Sequence, residues 1–260
     1  LVSAARSYRA VGMPQRHLPW HIRALACLLL AGQATAAELP PLRFAVSDGW
    51  TMPLIKIADG HATAGILYDL QLRLAQKVGR RAELLVRPRL RVQQMLVNGE
   101  IDVRCYVNPA WLQESHHQYI WSVPFMVQHD LLVGQNPTPV EPSDLNDERI
   151  GTVLGFIYPA LEPLFASGQL RRDDARSQDL VLEKLHAGRQ RYGMSNSLSL
   201  AWYNREHAGA PQLYPVKELA ADLVACIVRD EPDVPTMRLL RALVQMSQDG
   251  EFEAILARYR

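Results

Sequence analysis

Apolar and polar residues follow two different periods along this chain, and the periods take turns. Leu42 to Val46 alternates apolar and polar positions as a strand does, and Asp48-Gly49 interrupts it just before Trp50. After a turn around Asp59-Gly60, Ile66, Leu70, Leu74 and Val78 recur at helical spacing, with Gly79 as the stop. Ala82 to Val86 reads as a second strand, Arg91 to Val97 as a second helix ended by Asn98-Gly99, and Ile101 to Val107 as a third strand. Strand, helix, strand, helix, strand predicts an α/β unit with parallel strands. The rhythm then resumes. Arg149 to Leu154 is a predicted strand running into Gly155 with an apolar helix after it; Leu180 to His186 is a helix, Tyr192 to Ser195 a short strand and Leu198 to Arg205 a helix. Asn136 to Asp147, rich in Pro, Asn and Asp, is a loop between the two units. Leu223 to Val228 is a late strand, and Val234 to Tyr259 carries two helices hinged at Asp249-Gly250.

Upstream of these elements the pattern changes kind. Arg16, His17 and Arg23 form a basic lead, Ala24 to Gly32 an apolar run and Ala34-Thr35-Ala36 a small-residue cleavage site, so Met13 to Glu38 reads as a cleaved signal peptide. The apolar run falls well short of the roughly 20 residues that a membrane span requires. The mature chain is expected to begin near Ala37 or Glu38 and to work in the periplasm. Cys27 leaves with the signal and is not expected to carry a lipid. Residues upstream of Met13 are set aside from the fold.

The remaining length suits one large domain or two compact lobes. With 48% hydrophobic and 21% charged residues and a net charge of +1, the chain lacks the basic excess of a nucleic-acid binder, and no nucleic-acid partner is expected. Cys105 and Cys226 remain in a compartment that permits disulfides, but two cysteines do not make a disulfide scaffold. His116-His117 is adjacent rather than one helical turn apart, and no cluster has metal-site spacing. There is no G-x-S-x-G, no Gly-rich phosphate loop and no H-E-x-x-H, so neither a metal nor a cofactor is expected.

Several short stretches, in order, carry a resemblance. They are Arg43-Phe44-Ala45-Val46 with Trp50 and Pro53; Gly65-Ile66-Leu67-Tyr68-Asp69-Leu70 leading to Val78-Gly79; Met95 through Asp102; Trp121-Ser122-Val123-Pro124-Phe125; and Met246 through Phe252 with Ile255-Leu256 and Tyr259. Together they resemble the bacterial extracellular solute-binding proteins of family 3, the amino-acid group of type 2 periplasmic binding proteins. The resemblance implies an α/β fold of two lobes, two crossing segments and an interlobe cleft that closes on its ligand by a hinge. It divides the chain into an upstream extension and signal peptide (1–37), a first part of lobe 1 (38–124), crossings and lobe 2 (125–224) and a second part of lobe 1 (225–260). The crossings fall near Phe125 to Asp130 and near Ala220 to Val224. The same fold sets the strand returning from lobe 2 beside the third strand of lobe 1, bringing Cys105 and Cys226 near one another. Buried thiols are expected there in preference to a bridge, since free cysteine packs well as a small apolar group.

Ligands of parallel α/β sheets sit beyond the carboxyl ends of the strands. Trp50, Arg89, Asn108 and Phe156 follow predicted strands and Tyr106 stands at the end of one, and all five are expected to line the cleft. Trp50 stands where the family places a stacking aromatic, and Arg89 or Arg91, after Pro88, can fork onto an anion. Arg104 lies inside an apolar strand and needs a partner if buried. The family's arginine for the ligand carboxylate falls on Ser115, and its acid for the ligand ammonium on Asn196. Phe156 and Ile157 replace its small hydroxyl residues. Tyr106, Asn108, Trp111 and Tyr158 offer rings and amides instead. The expected function is therefore capture of a small polar molecule, other than a standard free L-amino acid, by a monomer that presents it to an inner-membrane ABC permease or sensor. No catalysis is expected; the alternatives are an enzyme on the same fold, like the cyclohexadienyl dehydratases, or a ligand-dependent sensor module.

Overall fold

Strand β1 (Leu42–Ser47) shows how the sequence pattern becomes a layer. Leu42, Phe44 and Val46 point to one face and Ala45 to the other, as the two-residue period requires. The structure, a computed structural model, describes Gly12 and residues 39–112 and 118–260. The predicted signal segment with Cys27, together with Ser115 and the His116-His117 pair, lies outside the described residues.

A small hairpin of β2 (Lys56–Ala58) and β3 (His61–Ala64) turns at Asp59-Gly60. Helix α1 (Ile66–Lys77) follows. Strand β4 (Ala82–Arg87) pairs in parallel with β1 over all of its residues, from Leu42 opposite Ala82 to Ser47 opposite Arg87. Helix α2 (Arg89–Val97) leads into β5 (Val103–Val107), parallel to β1 on its other side. The first face of this sheet packs on α1 and the two terminal helices, α6 (Thr236–Gln248) and α7 (Glu251–Ala257), through Leu67, Leu70, Leu74, Leu239, Leu243 and Phe252. The other face packs on α2 through Val92, Met95 and Leu96.

Short strand β6 (Tyr119–Trp121) and long strand β7 (Met126–Gly134) come next. The second sheet combines β7 with β8 (Glu148–Val153), β9 (Leu170–Ala175) and β10 (Tyr192–Asn196). Helices α4 (Gln178–His186) and α5 (Ser197–Glu206) follow β9 and β10 and cover one face, where Leu182, Leu185, Leu200 and Tyr203 meet Leu131 and Val133. Strand β11 (Tyr214–Arg229) belongs to both sheets. Its first part pairs with β7, ending at Val224 opposite Met126, and its last part pairs with β5 and β6. The expected crossings, 125–130 and 220–224, thus lie side by side in one antiparallel ladder.

The structure corrects several expectations. Cys105 and Cys226 are directly opposed on β5 and β11 and are joined as a disulfide, not packed as thiols. The helix expected straight after Gly155 is the five-residue α3 (Glu162–Ala166), because Pro159 keeps Tyr158 out of helical backbone and the chain makes turns instead. Strand β9, Leu170-Arg171-Arg172-Asp173-Asp174-Ala175, was not predicted. It is an edge strand whose charges face solvent or pair with one another and with Lys184, which hides its period.

Candidate ligand-binding cleft between two sheets

The candidate site begins at the end of β1. Gly49 sits where a Cβ would meet Val153 Cγ1 at 3.0 Å and Phe156 Cε1 at 3.1 Å, so a larger residue would push these side chains back and glycine favours the close approach of the β1 turn to the end of β8. Gln178 at the start of α4 donates its backbone N–H to the Gly49 carbonyl at 3.1 Å, tying the two sheets together across the gap. Behind that contact lies a cleft with about 610 Å³ not filled by protein atoms, its open mouth included. Trp50, Arg89, Tyr106 and Trp111 line it from the first sheet, and Phe156, Tyr158 and Asn196 from the second.

Each of these side chains has an identifiable support. Trp50 packs edge-on against Tyr106, with ring centroids 5.7 Å apart, and Tyr106 leans on Trp111 at 6.1 Å. Tyr106 has φ 61°, a left-handed backbone that an aromatic residue seldom adopts. Trp111 closes a single 3-10 turn, Pro109–Trp111, whose start is capped by Asn108. Arg89 opens α2 after Pro88 and donates from Nη2 to the Trp111 carbonyl at 3.1 Å. Its guanidinium is sunk deeply enough that burial pulls its pKa down to about 10, and no carboxylate pairs with it among the described residues. Tyr158 accepts a hydrogen bond from the Val153 N–H at 3.1 Å and carries Arg172 over its ring.

Two of the sequence candidates go elsewhere. Arg91 points out from α2, more than half exposed, with Glu100 at 3.7 Å. Asn108 accepts from the Ala110 N–H at 2.8 Å and donates to the Leu223 carbonyl at 2.9 Å, which pins the turn carrying Trp111 to β11. Asn196 reaches the cleft, but its Oδ1 caps α5 by accepting from the Ser199 N–H at 2.9 Å. Arg104 is buried in β5 away from the cleft, and its Nε and Nη1 find no hydrogen-bond partner among the described residues.

Sequence reasoning missed Asp130. It stands in β7 between Gln128-His129 and the apolar Leu131 to Val133, is only 7% exposed, and faces the cleft beside Gln128, whose amide donates to its carboxylate. Burial pushes its pKa up to about 6, with the Asp222 charge adding to the rise and the Gln128 bond opposing it. No cation pairs with it among the described residues. Ser195, Ser199 and Gln178 complete the polar wall. Position 196, where the resemblance sets an acid, is not acidic, but β7 supplies a carboxyl from another direction. The Tyr106 hydroxyl and the Trp111 indole Nε1, neither of them hydrogen-bonded among the described residues, also line the space. Burial raises the Tyr106 pKa well above its usual value, so the phenol keeps its proton.

No protein-family model matches this sequence and no curated protein matches it at a significant level. Solved structures do. A mutant arginine-binding protein from T. maritima superposes with a TM-score of 0.68 at 14% identity, covering 84% of this chain and 94% of that one. A histidine kinase sensor domain with similarity to periplasmic binding proteins gives 0.68 at 18%, covering 85% and 96%. The VFT2 domain of Bordetella pertussis BvgS, as a double mutant, gives 0.64 at 21%, covering 85% and 94%. At these identities the likeness speaks for the fold, and it agrees with the two sheets, the shared strand β11 and the cleft between them. The chain has the two-lobe α/β fold of type 2 periplasmic binding proteins.

Proposed function

We propose that this protein captures a small dipolar molecule in the cleft between its lobes and closes on it, acting outside the cytoplasm for an inner-membrane ABC permease or sensor. The lobes are 38–124 with 225–260, and 125–224, hinged where β7 and β11 run side by side. The observation that carries this reading is a pair of opposite charges on one cleft, Arg89 and Asp130, neither with an ionic partner in the protein among the described residues. Burying an unpaired charge costs several kcal/mol, and a ligand offering an anion to one and a protonated nitrogen to the other offsets both costs. Trp50, Tyr106, Trp111, Phe156 and Tyr158 supply the apolar walls usual for small-molecule sites. Solved relatives of the fold include arginine-binding proteins and sensor domains, which supports ligand capture in both settings. Ser115 and Asn196 argue against a standard L-amino acid, but Arg89 and Asp130 bring both charges from other elements, so standard L-amino acids belong in the screen.

A thermal-shift screen over amino acids, amines, organic acids and other small zwitterions tests the reading, because a ligand that binds only the folded state raises its melting temperature. A hit should lose affinity in Arg89→Ala and in Asp130→Asn. A tight ligand indifferent to both changes defeats the two-charge reading. A second reading, an enzyme on this fold, is favoured by one observation: a cleft carboxyl near pH 6 suits acid–base work. Recovery of the bound molecule chemically unchanged after prolonged incubation decides for capture.

A further inference from the structure

Tyr106 and Trp111 present a feature that a single anion clamp leaves unused. Both are more than nine-tenths buried, both line the cleft, and the Tyr106 hydroxyl and Trp111 Nε1 have no hydrogen-bond partner among the described residues. Their rings are 6.1 Å apart, and Arg89 is bonded to the Trp111 backbone, so the three groups form one side of the cavity. Tyr106 has φ 61° where the register of β5 against β11 shifts, an uncommon conformation of the kind that clusters at functional sites. The Trp111 indole and the Arg89 guanidinium can only donate, and the Tyr106 hydroxyl can donate as well as accept, so this side of the cleft is rich in donors.

We infer that Arg89, Tyr106 and Trp111 together form a pocket for a tetrahedral oxyanion, a sulfonate or phosphonate headgroup, whose remaining chain places a protonated amine at Asp130. The inference rests on the binding-protein reading above and narrows its ligand. A planar carboxylate has two oxygens, and an arginine fork engages both in one plane. Its remaining lone pairs lie in that same plane, so buried N–H and O–H donors on a neighbouring wall, out of that plane, stay unpaired at a cost. A headgroup with three oxygens can face the guanidinium with two and the Tyr106 hydroxyl and Trp111 Nε1 with the third.

Titration calorimetry on the full chain with three probes of similar length tests this: 2-aminoethanesulfonate, 2-aminoethylphosphonate and 3-aminopropanoate. At least one of the first two is expected to bind ten-fold or more tightly than the carboxylate, and the two separate sulfonate from phosphonate preference. Tyr106→Phe and Trp111→Phe should each weaken the preferred probe by about 5- to 100-fold. Tyr106→Phe should leave the melting temperature of the free protein unchanged or raised, since it removes a buried hydroxyl that has no partner; a merely structural role predicts the reverse. The inference is overturned if 3-aminopropanoate binds as tightly as the best oxyanion, if neither oxyanion binds, or if both phenylalanine variants keep full affinity. If it falls while the wider screen yields a ligand lost in Arg89→Ala and Asp130→Asn, the binding-protein reading stands; if no screened compound binds, that reading falls with it.

Discussion

Cys226 of β11 lies directly opposite Cys105 of β5, with Cα atoms 3.9 Å apart and the sulfurs bonded. This pair sits two residues past the point where β11 leaves β7, so it fastens the returning strand to the first sheet beside the proposed hinge. The bridge closes a sequence separation of 121 residues, which includes the whole of the second sheet outside β11.

The first prediction follows from that long loop. On the chain-entropy account, a bridge across about 100 residues contributes of the order of 4 to 5 kcal/mol, and removing native disulfides typically costs about 2 to 5. Cys105→Ala with Cys226→Ala is expected to lower unfolding free energy by that amount in urea titrations, with ligand affinity little changed. Cys105 and Cys226 should remain unlabelled when the protein is alkylated without reductant, and the bridged chain should weigh two hydrogens less than the reduced one. Full labelling of both cysteines in oxidised, folded protein would contradict the bridge.

A second prediction concerns Asp102, just beyond Asn98-Gly99. Its buried carboxylate takes Arg43 Nη2 at 2.7 Å, the Arg43 backbone N–H at 2.8 Å and Arg229 Nη2 at 2.9 Å. Burial alone would raise its pKa, but these bonds prevail and hold it below the ordinary 3.8. Its contribution is therefore complete above the unfolded-state pKa and fades as pH falls through the lower folded value. Asp102→Ala leaves two guanidiniums without their shared partner and is expected to cost about 3 to 5 kcal/mol at pH 7. The cost should shrink in urea titrations below pH 4. An equal cost at pH 7 and pH 3 would show that packing, not charge, is what the residue provides.

Much of the first sheet was legible because its helices and strands each bury one face, so Phe44, Leu70 or Leu243 betrays the period that orders its neighbours. The strand-end rule likewise led to Trp50, Arg89, Tyr106 and Phe156, since parallel sheets gather their carboxyl ends on one side. It failed for Asn108, which follows β5 but turns its amide to Leu223, and for Arg91, two positions past Arg89 and so on another face of α2. Asp130 stayed hidden for a different reason. In Met126–Gly134 an acid just after Gln128-His129 looks like a solvent-facing strand position, and only the pairing of β7 between β10 and β11 buries it.

Gly65 supports a third prediction. It has φ 117°, and a Cβ there would lie 2.6 Å from the Ile55 Cα and the Leu54 carbonyl oxygen, both backbone atoms that cannot swing aside. The Gly65 N–H also donates to the Tyr259 hydroxyl, which in turn donates to Asp69, so this turn joins the start of α1 to the final residues. Gly65→Ala combines a left-handed backbone with a clash and is expected to destabilise by more than about 2 kcal/mol. Gly79→Ala, with φ 69° and open space around its Cβ, should cost only about 1 kcal/mol. Comparable melting temperatures for the two variants would refute the steric argument.

The last prediction sets stability against binding at Asp130. Its folded pKa, pushed up to about 6, exceeds the ordinary 3.8, so the folded state binds this proton more tightly than the unfolded state does. Stability from this group is therefore greatest at low pH, and it declines as pH rises from about 4 to about 6. A shift of this size corresponds to roughly 3 kcal/mol as an upper bound, since one pKa unit is about 1.4 kcal/mol. Asp130→Asn keeps an oxygen to accept from Gln128 and removes the charge near Asp222, Tyr106 and Tyr158. It should stabilise the free protein at pH 8 by about 1 to 3 kcal/mol and have little effect at pH 4. The same substitution should weaken a ligand that carries a protonated nitrogen, and wild-type affinity for that ligand should fall as pH drops below about 6 and the carboxyl takes up its proton. Destabilisation by Asp130→Asn at pH 8 with unchanged ligand affinity would mean that the carboxylate is satisfied within the protein, and the two-charge reading of the cleft would fail.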